Sequence, residues 1–370
     1  MELDELLRLK VRLLIEGATL PEGAATGRKG GAGPVGARYF VLPNGRPCGV
    51  PIRSGPWAER YGSSSILPII SSDEWEYDSS VILKPVHNPA FYDLTTADGI
   101  PYKKIALLHG PDCLATTVYQ HCKYWSSHEQ CGYCTIPFSH LSGNTIIEKT
   151  PEQVQEVVTA AEDEGIIKHI LLTTGTPDSP DMGINRLEAI SYAIREVSDL
   201  PIAVQFEPPK DLSYIDKLAD SGVNSIGIHL ESADESVRER VCPGKFRHGK
   251  IDLYQAAWER ALEFIKPGDV NTFILLGLGE DLDKTLRFCE EIAHKGVLPI
   301  ITPIRPAPGS KLEDFIPSYV GALDETVEFY KSLGVILNEA GLDPRTTSAG
   351  CSRCGGCTPI QEAFELAQKV

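Results

Sequence analysis

The sequence predicts an α/β fold in which six parallel strands alternate with helices. Short apolar runs recur from about residue 106 onward, and stretches with helical spacing of apolar residues separate them. Consecutive parallel strands joined through a helix cross over right-handedly. A partial (β/α)₆ barrel of the TIM type and an open doubly wound sheet both satisfy this pattern. Both place the active site at the carboxyl ends of the strands.

Each predicted strand is an apolar run, and the six runs cover residues 113–120, 169–175, 202–207, 225–232, 271–277 and 298–304. The helical stretches cover residues 151–165, 184–198, 210–221, 233–240, 252–266 and 281–295. Thr150 and Pro151 are typical of a helix start, because threonine caps the first turn and proline fits its first position. Gly165 and Gly222 are typical of helix ends.

Residues 1–105 precede this pattern and are predicted to form an N-terminal extension. Residues 1–18 have leucines at helical spacing, interrupted by charged residues that include Lys10. We expect an amphipathic helix that docks on the main domain or on a partner and does not span a bilayer. Asn44-Gly45 between two apolar runs predicts a β-hairpin over residues 37–52. Residues 54–105 show no clear periodicity.

A glycine-rich loop with two cations, Arg28 and Lys29, covers residues 27–34. It could close over the barrel mouth, where the two cations would meet a carboxylate or a phosphate. A solvated, flexible loop is the alternative interpretation.

The formal net charge of −16 argues against a nucleic-acid-binding protein, which usually carries a basic patch, and against an anionic membrane surface as partner. The N-terminus lacks the cleavage site of a secretory signal, so we expect a cytoplasmic protein. In that reducing compartment, clustered cysteines more often bind metal than form disulfides. Six of the ten cysteines fall into two tight groups. We expect the other four to be buried apolar side chains: Cys48, Cys113, Cys242 and Cys289.

The first group is Cys122, Cys131 and Cys134, on the loop that follows the first predicted strand. The Cys-x-x-Cys spacing lets the thiolates of Cys131 and Cys134 reach one metal or one cluster edge. Cys122 can supply a third ligand when the eight-residue loop between it and Cys131 folds back. Three thiolates leave one position open for a substrate or cofactor. The alternative is a zinc site that is completed by a histidine of the same loop: His121, His128 or His140.

The second group is Cys351, Cys354 and Cys357, in a segment rich in glycine and small residues. Ferredoxin-type clusters use this Cys-x-x-Cys-x-x-Cys run with a fourth ligand from elsewhere. The alternative is a small zinc knuckle. The group falls within residues 321–370, which are predicted to form a C-terminal helix and cluster-binding segment, so the barrel is assigned to residues 106–320.

The first group, its place after the first strand and the aromatic Tyr133 before its last cysteine resemble the radical SAM superfamily. The superfamily's usual first gap is shorter than the eight residues between Cys122 and Cys131. The resemblance implies a partial (β/α)₆ TIM-type barrel and an oxygen-sensitive [4Fe–4S] cluster that binds S-adenosyl-L-methionine (SAM). It also implies that Tyr133 packs beside the adenine.

Other strand ends resemble the biotin synthase-like branch of the superfamily. By that resemblance, segments at five strand ends contact the methionyl amine, the ribose or the adenine of SAM. The residues implied are Thr174, Gly175, Gln205, Glu207, Glu231, Gly277 and Gly279. For Glu207 and Glu231 the alternative is an internal salt bridge, for example to Arg238 or Arg305, because a buried carboxylate is costly without a partner.

The resemblance implies an enzyme that reductively cleaves SAM to a 5′-deoxyadenosyl radical and abstracts hydrogen from a small, amino-acid-like metabolite. It implies an electron donor such as flavodoxin or ferredoxin, while the net charge argues against nucleic acid and membrane as partners. The second cysteine group is then an auxiliary iron–sulfur cluster, expected to be of the [4Fe–4S] type. A zinc-stabilised TIM-barrel-like hydrolase or binding protein is the alternative.

The auxiliary cluster is expected to present an open iron to the barrel mouth and to bind substrate there. If a fourth cysteine closes it, Cys48 and Cys242 are the better candidates, because Cys113 and Cys289 have the pattern of core positions. The RKGGAGP segment, the long first gap and the Cys-x-x-Cys-Gly-x-Cys ending are together similar to uncharacterised radical SAM proteins of bacterial nitrilase-containing gene clusters. That similarity implies small-molecule metabolism of nitrogen compounds.

Overall fold

The structure is a computed structural model that describes residues 1–22, 24, 36–71, 73–78 and 80–369. The loop of residues 27–34, with its two cations, lies outside the described residues. The N-terminal elements are α1 (Leu3–Glu16), β1 (Ala18–Thr19), β2 (Ala37–Val41), β3 (Pro47–Pro51), α2 (Pro56–Tyr61), β4 (Ser64–Ser71), β5 (Glu74–Tyr77), β6 (Val81–Pro85) and α3 (Tyr102–Ile105).

The second part of the chain alternates strands with helices. Its first half contains β7 (Leu107–His109), β8 (Cys113–Tyr119), α4 (Lys123–Ser126), α5 (Ile136–Leu141), α6 (Pro151–Asp163), β9 (His169–Thr174), α7 (Ile184–Arg195), β10 (Ile202–Phe206) and α8 (Ser213–Asp216). Its second half contains β11 (Val223–Ile228), α9 (Glu235–Val241), α10 (Pro243–His248), α11 (Ile251–Leu262), β12 (Val270–Leu276), α12 (Leu282–His294) and β13 (Val297–Pro303). The C-terminal helices are α13 (Leu323–Glu339), α14 (Cys351–Cys354) and α15 (Ile360–Ala367).

Strands β7 to β13 form one sheet in sequential order, and neighbours from β8 to β13 pair in parallel. A doubly wound sheet reverses its strand order at a switch point, and this sheet does not. Right-handed crossovers in a sequential sheet put the helices on one face, so the sheet curls with its other face inward. The fold is therefore a partial TIM-type barrel, and the doubly wound alternative is wrong.

Five of the six predicted strands are present within one residue of their expected bounds. The fourth, predicted over residues 225–232, is β11, which begins two residues earlier and ends four residues earlier, so Glu231 lies beyond it. Strand β7 is an additional strand antiparallel to β8. Helix α6 begins as predicted, with Thr150 accepting a hydrogen bond from the Gln153 amide at the N-cap. The helix predicted over residues 210–221 is only the short α8, because the chain continues through turns up to Gly222. Among the described residues, no helix has both the length and the hydropathy to cross a membrane.

The N-terminal extension forms a second sheet of six strands in the order β1-β4-β5-β6-β2-β3. The predicted hairpin is β2 and β3, and Gly45 has a φ of 82° at its turn. Strands β4 to β6 fall in the region without clear periodicity, so this part of the sheet was not predicted.

Helix α1 docks on the rest of the protein as predicted. Lys10 lies on its buried face, and the Lys10 ammonium is 3.0 Å from the Glu362 carboxylate of α15, with both side chains fully buried. The pair joins the N-terminal helix to the C-terminal segment that carries the second cysteine group. Leaving one partner unpaired typically costs about 3–5 kcal/mol.

Candidate active site

The first cysteine group lies at the carboxyl ends of the barrel strands. Cys122 comes three residues after β8 and stands at the N-terminus of α4, while Cys131 and Cys134 lie between α4 and α5. Three neighbouring segments hold this loop through backbone hydrogen bonds: Lys123 N to Thr176 O at 2.8 Å, Gly132 N to Val241 O at 2.7 Å, and Leu312 N to Gly132 O at 2.9 Å.

The three thiols are close enough to influence one another's ionisation. Desolvation raises the pKa of Cys134 to about 12, and the charges of Cys131 and Cys122 add to this rise. Desolvation likewise raises the pKa of Cys122. By contrast, a hydrogen bond from Cys242 lowers the pKa of Cys131. Cys131 is therefore the thiol of the group that ionises most readily before a metal binds.

The described side chains do not form a ready-made site for a single metal ion. Among the described residues, no three His, Cys, Asp or Glu side chains converge closely enough to hold one metal ion. A zinc site needs its ligands within about 2.0–2.3 Å of one ion. Among the described residues, no histidine of the loop lies in such an arrangement with the three cysteines.

Glu207 lies one residue beyond β10 and connects that strand to the cysteine loop. Its carboxylate, 4% exposed, accepts hydrogen bonds of 2.8 Å from Tyr124 Oη and of 2.8 Å from Thr176 Oγ1. Burial and the charge of Glu207 together raise the pKa of Tyr124, which keeps that phenol protonated as a donor. The salt bridge that was the alternative for Glu207, to Arg238 or Arg305, does not form in the structure.

Glu231 forms an internal salt bridge, but its partner is neither of the two expected arginines. Its carboxylate lies 2.5 Å from the ammonium of Lys245 on α10. The backbone of Glu231 has a φ of 75°, a region that non-glycine residues rarely adopt, and hydrogen bonds to Phe273 and Leu275 of β12 hold it there. The proposed partners Arg238 and Arg305 were wrong, because α10 brings Lys245 across the mouth instead.

Tyr133 lies within the same network. Desolvation raises its pKa well above the ordinary value, and the charges of Cys131, Cys242 and Glu231 act in the same direction. The Cys242 thiol is 3.9 Å from Tyr133 Oη. Cys242 therefore belongs to the surroundings of the first cysteine group. The expectation that it could complete the second group was wrong.

Gly175 has a packing role at the end of β9. A Cβ atom there would lie 2.1 Å from the carbonyl oxygen of His121, the residue before Cys122. The Gly175 amide donates a 2.8 Å hydrogen bond to Tyr119 O. Close approach of two backbones thus requires glycine at this position. Thr174, beside it, donates to the Gly175 carbonyl at 2.8 Å.

The glycine turn after β12 is closed by Glu280, which the sequence pattern did not single out. The Glu280 carboxylate accepts 2.7 Å hydrogen bonds from the amides of Gly277 and Leu278. Gly277 and Gly279 have φ values of 103° and 86°. A Cβ at Gly277 would lie 2.5 Å from the Tyr319 ring, whereas the nearest atom to one at Gly279 is 3.9 Å away. Of the two, Gly279 has the free space.

Gln205 lies away from the first group, although the resemblance placed it near the SAM ribose. Its Nε2 is 3.3 Å from the Cys351 thiol of the second group. Gln205 and Glu207 alternate with Phe206, so both point inward, but Gln205 lies further from the mouth. The structure thus separates the two residues: Glu207 contacts the first cysteine loop, and Gln205 contacts the second.

The second cysteine group lies inside the barrel near the amino ends of the strands. The Gly350 amide donates a 3.1 Å hydrogen bond to His169, the first residue of β9. The Ser348 amide is 2.7 Å from the carboxylate of Asp269, just before β12. The expectation that this group faces the barrel mouth was therefore wrong, because the segment enters from the opposite end.

Cys113, not Cys242, accompanies the second group. Cys113 begins β8 and packs with Cys351 and Cys354 in one buried cluster. Desolvation raises the pKa of Cys354 to about 12, with the charge of Cys357 adding to the rise. The Cys357 thiol is 3.8 Å from Tyr39 Oη of β2, so the N-terminal sheet also contacts this group.

The part of the chain that carries this site is similar to known proteins. The family model described as "Radical SAM superfamily" matches residues 128–292, a stretch that contains Cys131 and Cys134 and begins after Cys122. A curated relative, bacteriochlorophyllide c C-7(1)-hydroxylase of Chlorobaculum limnaeum, is 28% identical over 202 residues, which cover 52% of this chain and 48% of the relative. The chain therefore spans about half the length of that relative.

Solved structures of similar proteins include methylornithine synthase (PylB) and the FeFe-hydrogenase maturase HydG from Carboxydothermus hydrogenoformans. The first is 18% identical with a TM-score of 0.44, over 62% of this chain and 70% of that one. The second is 20% identical with a TM-score of 0.46, over 62% of this chain and 51% of that one.

Proposed function

We propose that this chain, which belongs to the radical SAM superfamily of enzymes, holds its [4Fe–4S] cluster with Cys122, Cys131 and Cys134 and acts on a small, amino-acid-like metabolite. The observation that carries the proposal is the group of three mutually interacting thiols at the carboxyl ends of the barrel strands. Bound to such a cluster, SAM supplies a 5′-deoxyadenosyl radical that removes hydrogen from a substrate. Three protein thiolates leave one iron available for SAM.

The residues around the three thiols hold the cysteine loop in place and shift the pKa values of the thiols. Glu207 fixes the loop through Tyr124 and Thr176, so it sets where Cys122 stands. Cys131 and Lys245 act on each other's ionisation, and a nearby ammonium stabilises the ionised thiol. Metal binding must displace protons from Cys122 and Cys134, whose pKa values desolvation raises, so loading should release protons.

Most of the residues that the resemblance implies are proposed to lie around SAM. Glu231 is proposed to accept a cationic amine, exchanging its bond to Lys245 for one to the ligand. Tyr133 is proposed to pack beside the adenine, and Gly279 has the free space for a ligand's close approach. Thr174 and Gly175 are proposed to line the methionyl end, and Gly277 supports the turn on the adenine side.

We propose that Cys351, Cys354 and Cys357 hold an auxiliary iron–sulfur cluster, of the [4Fe–4S] type, inside the barrel. What supports it is the set of mutual effects among the three thiols and their position beneath Gln205. Cys113 is the fourth cysteine in contact with them. A reductant such as flavodoxin or ferredoxin would supply the electron for catalysis.

The substrate is proposed to lie between the two cysteine groups. His229 Nε2 and Asn271 Oδ1 are buried there without a hydrogen-bond partner in the described chain. Both flank Gly227, where a Cβ would lie 2.7 Å from the His229 ring and 3.0 Å from Asn271 Oδ1. Gly227 pairs with Gln205 and Asn271 in the sheet, so these groups share one level of the barrel. Buried polar atoms without partners favour a polar ligand.

Anaerobic reconstitution tests the proposal. The protein should bind iron and sulfide in amounts that fit two clusters. Replacing any cysteine of the first group by alanine should remove one cluster and leave the other. Cys289→Ala is the matched control, because Cys289 is fully buried on α12 and should keep both. A colourless protein that holds only zinc would instead support the zinc-stabilised hydrolase.

Label transfer would identify the substrate class. Candidate metabolites carrying deuterium are incubated with reduced enzyme and SAM, and 5′-deoxyadenosine is examined by mass spectrometry. Transfer from an amino-acid-like compound supports the proposal. Transfer only from a compound without an amino-acid-like group would overturn this part of it and leave the cluster assignment intact.

A further inference from the structure

The buried guanidinium of Arg305 has no hydrogen-bond partner among the described residues. It follows β13 by two residues, at the carboxyl end of that edge strand. The Nε, Nη1 and Nη2 atoms of Arg305 are all buried and have no hydrogen-bond partner. A guanidinium has five N–H donors, so this side chain lacks partners in every direction in which it can donate.

Other arginines beside the barrel show how the chain usually satisfies such a group. Arg195 donates to the carbonyls of Gly222, Ser198 and Leu200, with distances from 2.7 to 3.2 Å. Burying a charge without a partner is strongly unfavourable. A buried guanidinium that lacks protein partners is therefore best explained by a ligand that supplies them.

The surroundings of Arg305 favour an anion. Burial raises the pKa of Tyr319, and the charges of Arg53 and Arg305 oppose that rise, so both cations lie near this phenol. Arg53 itself stacks over the Tyr61 ring at 3.4 Å and donates to the carbonyl of Glu16. Two cations near one phenol, one of them without a partner, create a positive potential.

Arg305 is joined to the first cysteine loop through the chain that follows it. The segment after it crosses to the first cysteine loop, where Leu312 hydrogen-bonds to Gly132 and Gly309 packs on Phe138. A cavity of about 290 Å³ opens beside Tyr61 and Tyr319, and Glu16 and Arg60 also line it. Arg305 does not line this cavity, so the ligand is inferred from its buried donors and not from the cavity.

We propose that the Arg305 guanidinium binds an oxyanion, a carboxylate or a phosphate, of the substrate. The planar fork of donors on arginine matches both groups in a bidentate manner. This inference deepens the proposed function, since it rests on a substrate that enters at the mouth near the first cysteine group. The site would select for substrates with a negative charge at one end.

Arg305→Met in the reconstituted protein tests this inference, because methionine keeps an unbranched, apolar side chain without the charge. Without added anion, the variant should unfold at a temperature about 1–4 °C higher than the wild type, since an unsatisfied buried charge is gone. Adding acetate or phosphate should raise the unfolding temperature of the wild type and leave the variant unchanged. Comparing acetate with phosphate shows which oxyanion the site prefers.

Arg195→Met is the matched control, and it should unfold at a lower temperature, because three carbonyls lose their donor. If Arg305→Met is destabilised like the control and the wild type does not respond to either anion, Arg305 is a structural residue and the inference is wrong. It is equally wrong if the variant loses its affinity for SAM, since the guanidinium would then serve the SAM carboxylate. The unfolding measurements do not depend on SAM cleavage, so they remain informative if the proposed function fails.

Discussion

Gly175→Ala is expected to remove the first cluster by moving the backbone next to Cys122. The added Cβ would lie 2.1 Å from His121 O and 2.8 Å from His121 C, and contacts under 3.0 Å are essentially never seen. The two backbones must therefore separate by about 0.9 Å. Catalytic and metal-binding groups need to be held within about 0.5 Å, so this movement is enough to displace Cys122.

Overpacking of this kind costs about 1–3 kcal/mol, which corresponds to a fall of about 1–4 °C in the unfolding temperature of a chain of this length. Iron and sulfide analysis of the reconstituted variant should show the second cluster and not the first. Gly334→Ala is the matched control: a Cβ there would lie 2.2 Å from Ala363 O, so it is equally crowded but far from the first loop. That control should lose stability and keep the first cluster. The reasoning is refuted if Gly175→Ala retains a full first cluster while showing the same loss of stability.

Three further predictions follow from the described contacts. Glu207→Gln should lower the free energy of unfolding by about 1–3 kcal/mol, because either the Tyr124 or the Thr176 hydroxyl then faces an amide N–H in place of an acceptor. Thermal unfolding measures this change, and unchanged stability would contradict the prediction. Lys10→Met should lower the free energy of unfolding, measured with denaturant, by about 3–5 kcal/mol, because it leaves the Glu362 carboxylate buried without a partner. Adding Glu362→Met should recover most of this loss. A double variant that is no more stable than Lys10→Met would contradict the buried pair. Removing iron with a chelator should lower the unfolding temperature of the wild type, and a variant lacking all six clustered cysteines should not respond.

The alternation of strands and helices could be predicted from the sequence, but the arrangement of the strands could not. Apolar runs and helix caps such as Thr150 are local signals, so they located β8 to β13 and α6 closely. Strand order depends on pairings between distant segments, and only these pairings distinguish the sequential barrel from a doubly wound sheet.

Both cysteine groups could be found by their spacing, whereas their surroundings could not. The Lys245–Glu231 pair and the Gln205–Cys351 contact join residues 14 and 146 positions apart. The same limit explains the error over Cys242, which lies beside the first group. Cys48, the other candidate, does lie near the second group, because burial raises its pKa and the charge of Cys357 contributes to the rise. Cys113 has the pattern of a core position, and it does lie in the core, but the second group enters that core from the amino ends of the strands.

The central claim is that Cys122, Cys131 and Cys134 hold the cluster on which SAM is cleaved. The most direct test measures 5′-deoxyadenosine and methionine after reduced, reconstituted enzyme is mixed with SAM under anaerobic conditions. The account predicts that the wild type and Cys289→Ala form both products, and that Cys122→Ala forms neither although it retains the second cluster. Cleavage of SAM by Cys122→Ala at the rate of the wild type would contradict the account.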